Sequence, residues 1–447
     1  MPENGNKIRP VRTLTVRNFS VIKEAKLEFG KITVLIGPQA SGKSLLCKLA
    51  YFLGKELIEL SVQSISNGSS WDEYLQDASK AFWSRFSSGD GLVQLGTEVK
   101  LSSHRYEVEL AWGADPNLPA FRFSETFVKQ YKSLLADPIQ SVSAASGALI
   151  PGGISSITRK EDVWVSLNQI LSPSILEAVV YIPAGRAFFT STSKGFALLQ
   201  NVGIDSITRE FAAQIQWDPR WRVGMMALGR EVTDEISRSM TKILQGFVVM
   251  DSGVPRFLAS DGRKLPLGAL STGVQEMLPM FNILEQLMYS REHLVAAERA
   301  TYIPARPKKP VSSKPLLYLE EPEANVFPRT QYELVKLFAW LASDPVLGFD
   351  WAITTHSPYI LSAFNNLIEA SQVVTTKPEL KSEVDKLISE QYWISSSDFK
   401  AYSIHDGYLE SIMDTESGLI NGAYLDAISN KIGADFDELL RMAYVKS

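Results

Sequence analysis

Cysteine is almost missing from this chain of 447 residues, with Cys47 the single example. One thiol excludes an internal disulfide framework and suits a reducing compartment, so a cytoplasmic protein is expected. Histidine is scarce too: His104, His293, His356 and His405 stand far apart, and no Cys/His spacing resembles a zinc site. No apolar run approaches the roughly 20 residues needed to cross a bilayer. The polar stretch from Met1 to Pro10 lacks the hydrophobic segment of a secretory leader. No association with a membrane is therefore expected. A positive surplus is also lacking. With 45 Lys and Arg against 50 Asp and Glu, the net charge is −5. That excludes a molecule drawn to nucleic acid as a whole and leaves room only for a local basic patch. What is present is an ordinary globular composition, 45% apolar and 21% charged, with length for two or three compact units around a sizeable core.

Three short strings fit one nucleotide site. The first is Gly37-Pro38-Gln39-Ala40-Ser41-Gly42-Lys43-Ser44, the full Gly-x4-Gly-Lys-Ser pattern. Its glycines let the backbone curl so that successive N–H groups face a phosphate, and the following helix adds a favourable field. Lys43 is expected to bridge the β- and γ-phosphates of ATP, and the Ser44 hydroxyl to hold Mg²⁺. Context supports the match. Ile32 to Ile36 is a β-branched run suited to a buried strand, and Leu45 to Leu60 carries helical apolar spacing.

The second string is a hydrophobic strand, Leu316 to Leu319, ending in Glu320-Glu321. Glu320 is expected beside Mg²⁺ and Glu321 as the base that polarises the attacking water. Glu323 reads as the start of the next turn. Thr355-His356-Ser357 closes the following strand, where His356 can meet the γ-phosphate or the attacking water. The third string is Leu270-Ser271-Thr272-Gly273-Val274-Gln275. By itself it reads equally as a Ser N-cap. Taken with the others, Ser271, Gly273 and Gln275 form a second anion site at a helix start. One chain has no use for two such sites unless one ATP is pinched between two copies.

The rest of the chain reads as strands and helices in alternation, which implies a largely parallel sheet. Buried strands are expected at 32–36, 178–183, 316–319 and 351–354, with helices at 273–290 and 331–342. Alternation from Val93 to Val128, including Phe121, Phe123 and Phe127, predicts antiparallel hairpins, and Phe247 to Leu267 predicts another. Ser141 to Ser156 reads as a loop, residues 204–245 as mainly helical. The stretch 302–315, with Arg306, Lys308, Lys309 and Lys314, reads as a solvated loop or as a nucleic-acid arm.

The set of motifs resembles ABC-type ATPases, in the branch shared by SMC proteins, coiled-coil DNA-repair ATPases, RecF and OLD-family proteins. Leu14-Thr15-Val16-Arg17-Asn18-Phe19 is similar to that branch's opening strand. Glu320-Glu321-Pro322-Glu323-Ala324-Asn325 and Tyr181-Ile182-Pro183-Ala184-Gly185-Arg186 are similar to strings of the OLD group. The resemblance implies an α/β ABC-ATPase head of the P-loop NTPase class. It has a mixed, mainly parallel core sheet, an antiparallel β subdomain and a helical insertion. Segments of 1–60, 61–177, 178–265 and 266–447 are expected. About 85 residues follow Leu361, too few for the Toprim domain of OLD nucleases, and no sustained heptad links 61 to 265 as in SMC proteins. The family's Q-loop glutamine has only weak candidates, Gln130 and Gln169. Arg186 is open between the nucleotide, the interface of two copies and a structural ion pair.

An ATPase of this branch without nuclease or coiled coil resembles the ATPase subunits of bacterial anti-phage systems such as PARIS. The expected function is an ATP-hydrolysing sensor and scaffold. It would form a homodimer or higher homo-oligomer around shared ATP, answer a phage-derived trigger, and control a separately encoded effector, a Toprim-type nuclease. The alternative is a RecF-like ATPase acting directly on DNA. A transporter subunit, which would need a permease, is disfavoured by Glu-Glu-Pro-Glu.

Overall fold

The computed structural model describes residues 12–86, 92–112, 119–136, 160, 162–164, 166–167, 171, 179–191, 205–215, 217, 231–299, 315–344, 348–421 and 433–442. Fourteen strands are described. They are β1 (Arg12–Phe19), β2 (Ile22–Phe29), β3 (Ile32–Ile36), β4 (Val93–Ser103), β5 (Tyr106–Trp112), β6 (Pro119–Phe123) and β7 (Val179–Ile182). Then come β8 (Gly246–Asp251), β9 (Val254–Ala259), β10 (Lys264–Pro266), β11 (Leu316–Glu320), β12 (Asp350–Thr355), β13 (Phe399–His405) and β14 (Tyr408–Ser411). Eleven of them form one sheet in the order β6-β5-β4-β1-β2-β14-β13-β3-β12-β11-β7. The five strands from β13 to β7 run parallel, and β6 to β2 form an antiparallel wing. The fold is α/β with a mixed sheet and a parallel core, as the resemblance implied; the strand–helix alternation accounts for the parallel core but not for the antiparallel wing.

The parallel strands are buried because both faces are covered, and their side chains alternate between two cores. Leu317 and Leu319 enter one core together with Trp351, Ile353 and the Met277–Leu284 side of the helix Thr272–Arg299. Leu316, Tyr318 and Ala352 enter the other, beside the helix Lys43–Tyr51 and the antiparallel wing. The helix after the phosphate loop continues through a π turn, Phe52–Glu56, into Leu57–Asn67. The three-stranded sheet β10-β9-β8 is the hairpin expected between 247 and 267.

One expectation is corrected. Phe127 is not on a strand, because the antiparallel wing ends at Phe123 and Glu125–Ala136 is a helix. Phe127 and Tyr131, four residues apart on one helical face, pack on Trp71. The loop at 141–156 and the basic residues Arg306, Lys308, Lys309 and Lys314 lie outside the described residues. No helix among the described residues is long and apolar enough to cross a membrane.

Candidate functional site

Four parallel strands end on one rim of the sheet, where open α/β sheets place their ligand crevice. The pairs Thr355↔Ile36, Glu320↔Thr354 and Leu319↔Ile182 set those ends level. Gly37 therefore leaves β3 beside His356, Glu321 leaves β11 beside it, and Pro183 leaves β7. Hydrophobic runs that must be buried on both faces bring these motifs together, although some 140 residues separate Ser44 from Tyr181 in sequence.

The phosphate loop has the backbone its glycines were expected to allow. Gly42 has φ 103° and Ala40 φ 58°, and a Cβ at Gly42 would strike Ile22 Cδ1. Leu46 N–H makes a helix bond to Gly42 O at 3.0 Å, so the N–H groups of the preceding turn have no carbonyl four residues back to bind. Pro38, Gln39 and Ala40 are exposed, and Ser41 and Ser44 are half-buried. Lys43 is only 5% exposed. It folds over its own loop, donating from Nζ to Gly37 O at 2.8 Å and Pro38 O at 2.7 Å. Burial pushes its pKa down, against the opposing charges of Glu321 and Glu323.

The acidic pair divides by environment. Glu320 is 7% exposed, and both its oxygens are held: Tyr181 OH donates to Oε1 at 2.5 Å and Ala184 N–H to Oε2 at 3.0 Å. Glu321 turns outward at φ 42°, fixed by its N–H donating to Thr354 O at 2.9 Å. Its Oε1 lies 3.3 Å from His356 Nε2, and its side chain is 38% exposed. Glu323 takes His356 N–H on Oε1 at 2.6 Å, so it grips the histidine's backbone while Glu321 meets the ring. The sequence had placed Glu323 only at a turn.

Three buried side-chain atoms around this rim lack a hydrogen-bond partner: Ser41 Oγ, Glu323 Oε2 and Thr354 Oγ1. Buried polar atoms are costly to leave unpaired, so the cradle suits a polar ligand. Phosphate oxygens and water meet that need. Among the described residues no group of three His, Cys, Asp or Glu side chains could hold a metal ion alone. Mg²⁺ fits here in its usual manner, through one or two protein oxygens completed by phosphates. Ser44 and Glu320 are the oxygens on this rim that could hold it.

Arg186, 1% exposed, has a structural place in this chain. Its Nη1 donates to Pro183 O at 2.8 Å and Glu320 O at 2.6 Å, and Nη2 to Glu321 O at 3.0 Å. Its Nε donates to Glu276 O at 3.1 Å and its backbone N–H to Glu276 Oε2 at 2.8 Å. Gly185, at φ 71°, supplies the left-handed turn that sends Arg186 back beneath the acidic pair. Ser271 is exposed. Gln275 donates both to Gly268 O and to Leu270 O, at 3.0 and 2.9 Å, which ties its amide to the preceding turn. Gln130 sits on the helix that packs against Trp71 rather than on the rim, and Gln169 lies outside the described residues.

Residues 201–361 match the family described as an AAA ATPase domain. No curated protein matches the chain. Among solved structures, the chain is similar to the SMC head domain from Thermotoga maritima, at 10% identity over 91% of this chain and 98% of that one, with a TM-score of 0.35. It is similar to an Smc head bound to the C-terminal winged-helix domain of ScpA, at 12% identity over 91% and 98%, with a TM-score of 0.39. It is also similar to the recombination mediator RecF, at 13% identity over 90% and 99%, with a TM-score of 0.30.

Gly273 marks where the helix carrying Ser271 at its start meets the acidic turn: a Cβ there would lie 2.5 Å from Asn325 O. Backbone on both sides leaves little room to yield. Gly273→Ala is expected to destabilise the fold by about 1–3 kcal/mol, measured by urea unfolding. An unchanged midpoint would show that the helix start is free to move.

Proposed function

We propose that this chain binds and hydrolyses ATP as an ABC-type ATPase of the SMC/RecF/OLD-like branch. The observation that carries this reading is the convergence of Gly37–Ser44, Glu320-Glu321 and His356 on adjacent parallel strand ends. Lys43 exchanges the loop carbonyls for the β- and γ-phosphates. The loop N–H groups and Ser41 Oγ cradle the same oxygens. Ser44 and Glu320 would hold Mg²⁺, which would supply positive charge to the phosphates. Glu321 takes the proton of the attacking water and His356 steadies its carboxylate. The surface of Ser271 and Gly273 caps the nucleotide of a second copy, so hydrolysis requires self-association.

In the cell we place this switch in anti-phage defence, as a sensor and scaffold of the kind represented by AriA, the ATPase subunit of PARIS. Its output is a separately encoded effector, a Toprim-type nuclease. A complete ATP cradle with no second constellation of catalytic groups among the described residues supports that division of labour. Co-purification with the product of the neighbouring gene tests it. Absence of any complex, with or without ATP, sinks the defence reading, and tight salt-sensitive DNA binding instead would favour a RecF-like role.

Two variants test the shared site. Lys43→Ala is expected to weaken ATP binding by about 10- to 100-fold, the worth of a charged hydrogen bond. Ser271→Arg is expected to keep ATP binding yet stop turnover. In a two-fold assembly each site takes one loop and one partner surface. A 1:1 mixture of the two variants therefore regains one intact site in the mixed dimers, about a quarter of wild-type turnover. No recovery on mixing would mean that each chain works alone.

A further inference from the structure

The segment Tyr181 to Arg186 touches the acidic pair at every polar position, and the ATP chemistry proposed above leaves its first residue unused. Tyr181 sits on β7, fully buried, with its ring 5.5 Å from Tyr51 and stacked 5.8 Å from Tyr318. The two rings fix where its hydroxyl points. That hydroxyl donates to Glu320 Oε1 at 2.5 Å and lies 3.5 Å from Ser44 O. A phenol is protonated at neutral pH, so this hydroxyl is the donor and the carboxylate the acceptor. Ala184 N–H holds the other oxygen of Glu320.

We propose that Tyr181 is a positioning residue for magnesium: it fixes the Glu320 carboxylate against the first turn of the phosphate-loop helix, so that Glu320 and Ser44 face one ion. The inference rests on the ATP reading above. A glutamate has one more rotatable bond than an aspartate, and a carboxylate left to turn about that bond would meet the ion in only a fraction of its rotamers. Two donors, one on each oxygen, remove that freedom while leaving the remaining lone pairs of both oxygens for metal or metal-bound water. Outer hydrogen bonds of this kind typically govern metal affinity by about 10- to 100-fold.

The test is nucleotide binding by Tyr181→Phe, with a fluorescent ADP titrated in EDTA and then with increasing Mg²⁺. The expected result is wild-type affinity in EDTA and about a tenfold higher Mg²⁺ concentration at half-saturation. The shift should also appear as weaker Mn²⁺ binding, followed by electron paramagnetic resonance in the presence of ADP. Tyr318→Phe is the control. It removes the hydroxyl of the stacked neighbour, which pairs with Arg12, and should leave the Mg²⁺ dependence as in wild type. Equal losses in EDTA and in Mg²⁺, or equal effects of the two variants, would make Tyr181 a packing residue and overturn the proposal. Absence of nucleotide binding by the wild-type protein is the distinct outcome that overturns the ATP reading itself.

Discussion

Arg186→Met is expected to lower the free energy of unfolding by about 3–5 kcal/mol, the range for breaking a buried ion pair from one side. The guanidinium and its backbone N–H together hold one carboxylate and four carbonyls, with the side chain 1% exposed. Methionine fills much of the volume but offers no donor. Glu276, 4% exposed, keeps the backbone N–H of residue 186 but loses the guanidinium 3.7 Å away. The loss should therefore be partly reversed when the charge goes too. Arg186→Met with Glu276→Met is expected to recover part of the loss, since removing both members of a buried pair is often neutral. Urea unfolding of the two single variants and the double variant measures this. A cost below about 1 kcal/mol for Arg186→Met would place the pair among those worth as little as surface pairs.

That buried joint also shows how far the sequence could be read. The phosphate loop is legible because its chemistry is contiguous: eight successive residues supply the turn, the cation and the hydroxyl. The acidic pair is nearly as legible, since a buried strand ends on it. Arg186 left three alternatives open because all its partners but Pro183 lie 90 to 135 residues away. Several of them are carbonyls, which any residue would supply. The same limit hides Tyr181, whose partner Glu320 is 139 residues distant. Strand order is similarly remote. β13 and β14 come from the far end of the chain yet lie between β2 and β3, and no local pattern records such a pairing. Phe127 fails differently. Phe121, Phe123 and Phe127 suit period two as well as the end of one strand and the start of a helix, and the Phe127–Tyr131 spacing decides for the helix.

Glu321→Gln is expected to lower ATP turnover by about 10²- to 10⁴-fold, the usual worth of a general base, with nucleotide binding unchanged. The substitution preserves size and an oxygen that can accept from His356 Nε2, 3.3 Å away. It leaves the backbone of the turn unchanged, including the 2.9 Å bond from its N–H to Thr354 O. What it removes is the ability to take a proton. Glu320 cannot substitute, since the lone pairs that its two hydrogen bonds leave are the ones given to the metal in this reading. Glu321, with its side chain 38% exposed, offers its carboxylate to an incoming water. Phosphate release under single-turnover conditions, beside ATP binding by equilibrium titration, separates the two effects. Retained ATP should also trap the self-associated form, visible as a larger species by sedimentation. Wild-type turnover would remove Glu321 as the base. Lost binding would make it a ligand contact instead. Glu320→Gln should differ in kind: its defect belongs to the metal, so raising Mg²⁺ recovers part of it, whereas no Mg²⁺ concentration restores a proton acceptor to Glu321→Gln.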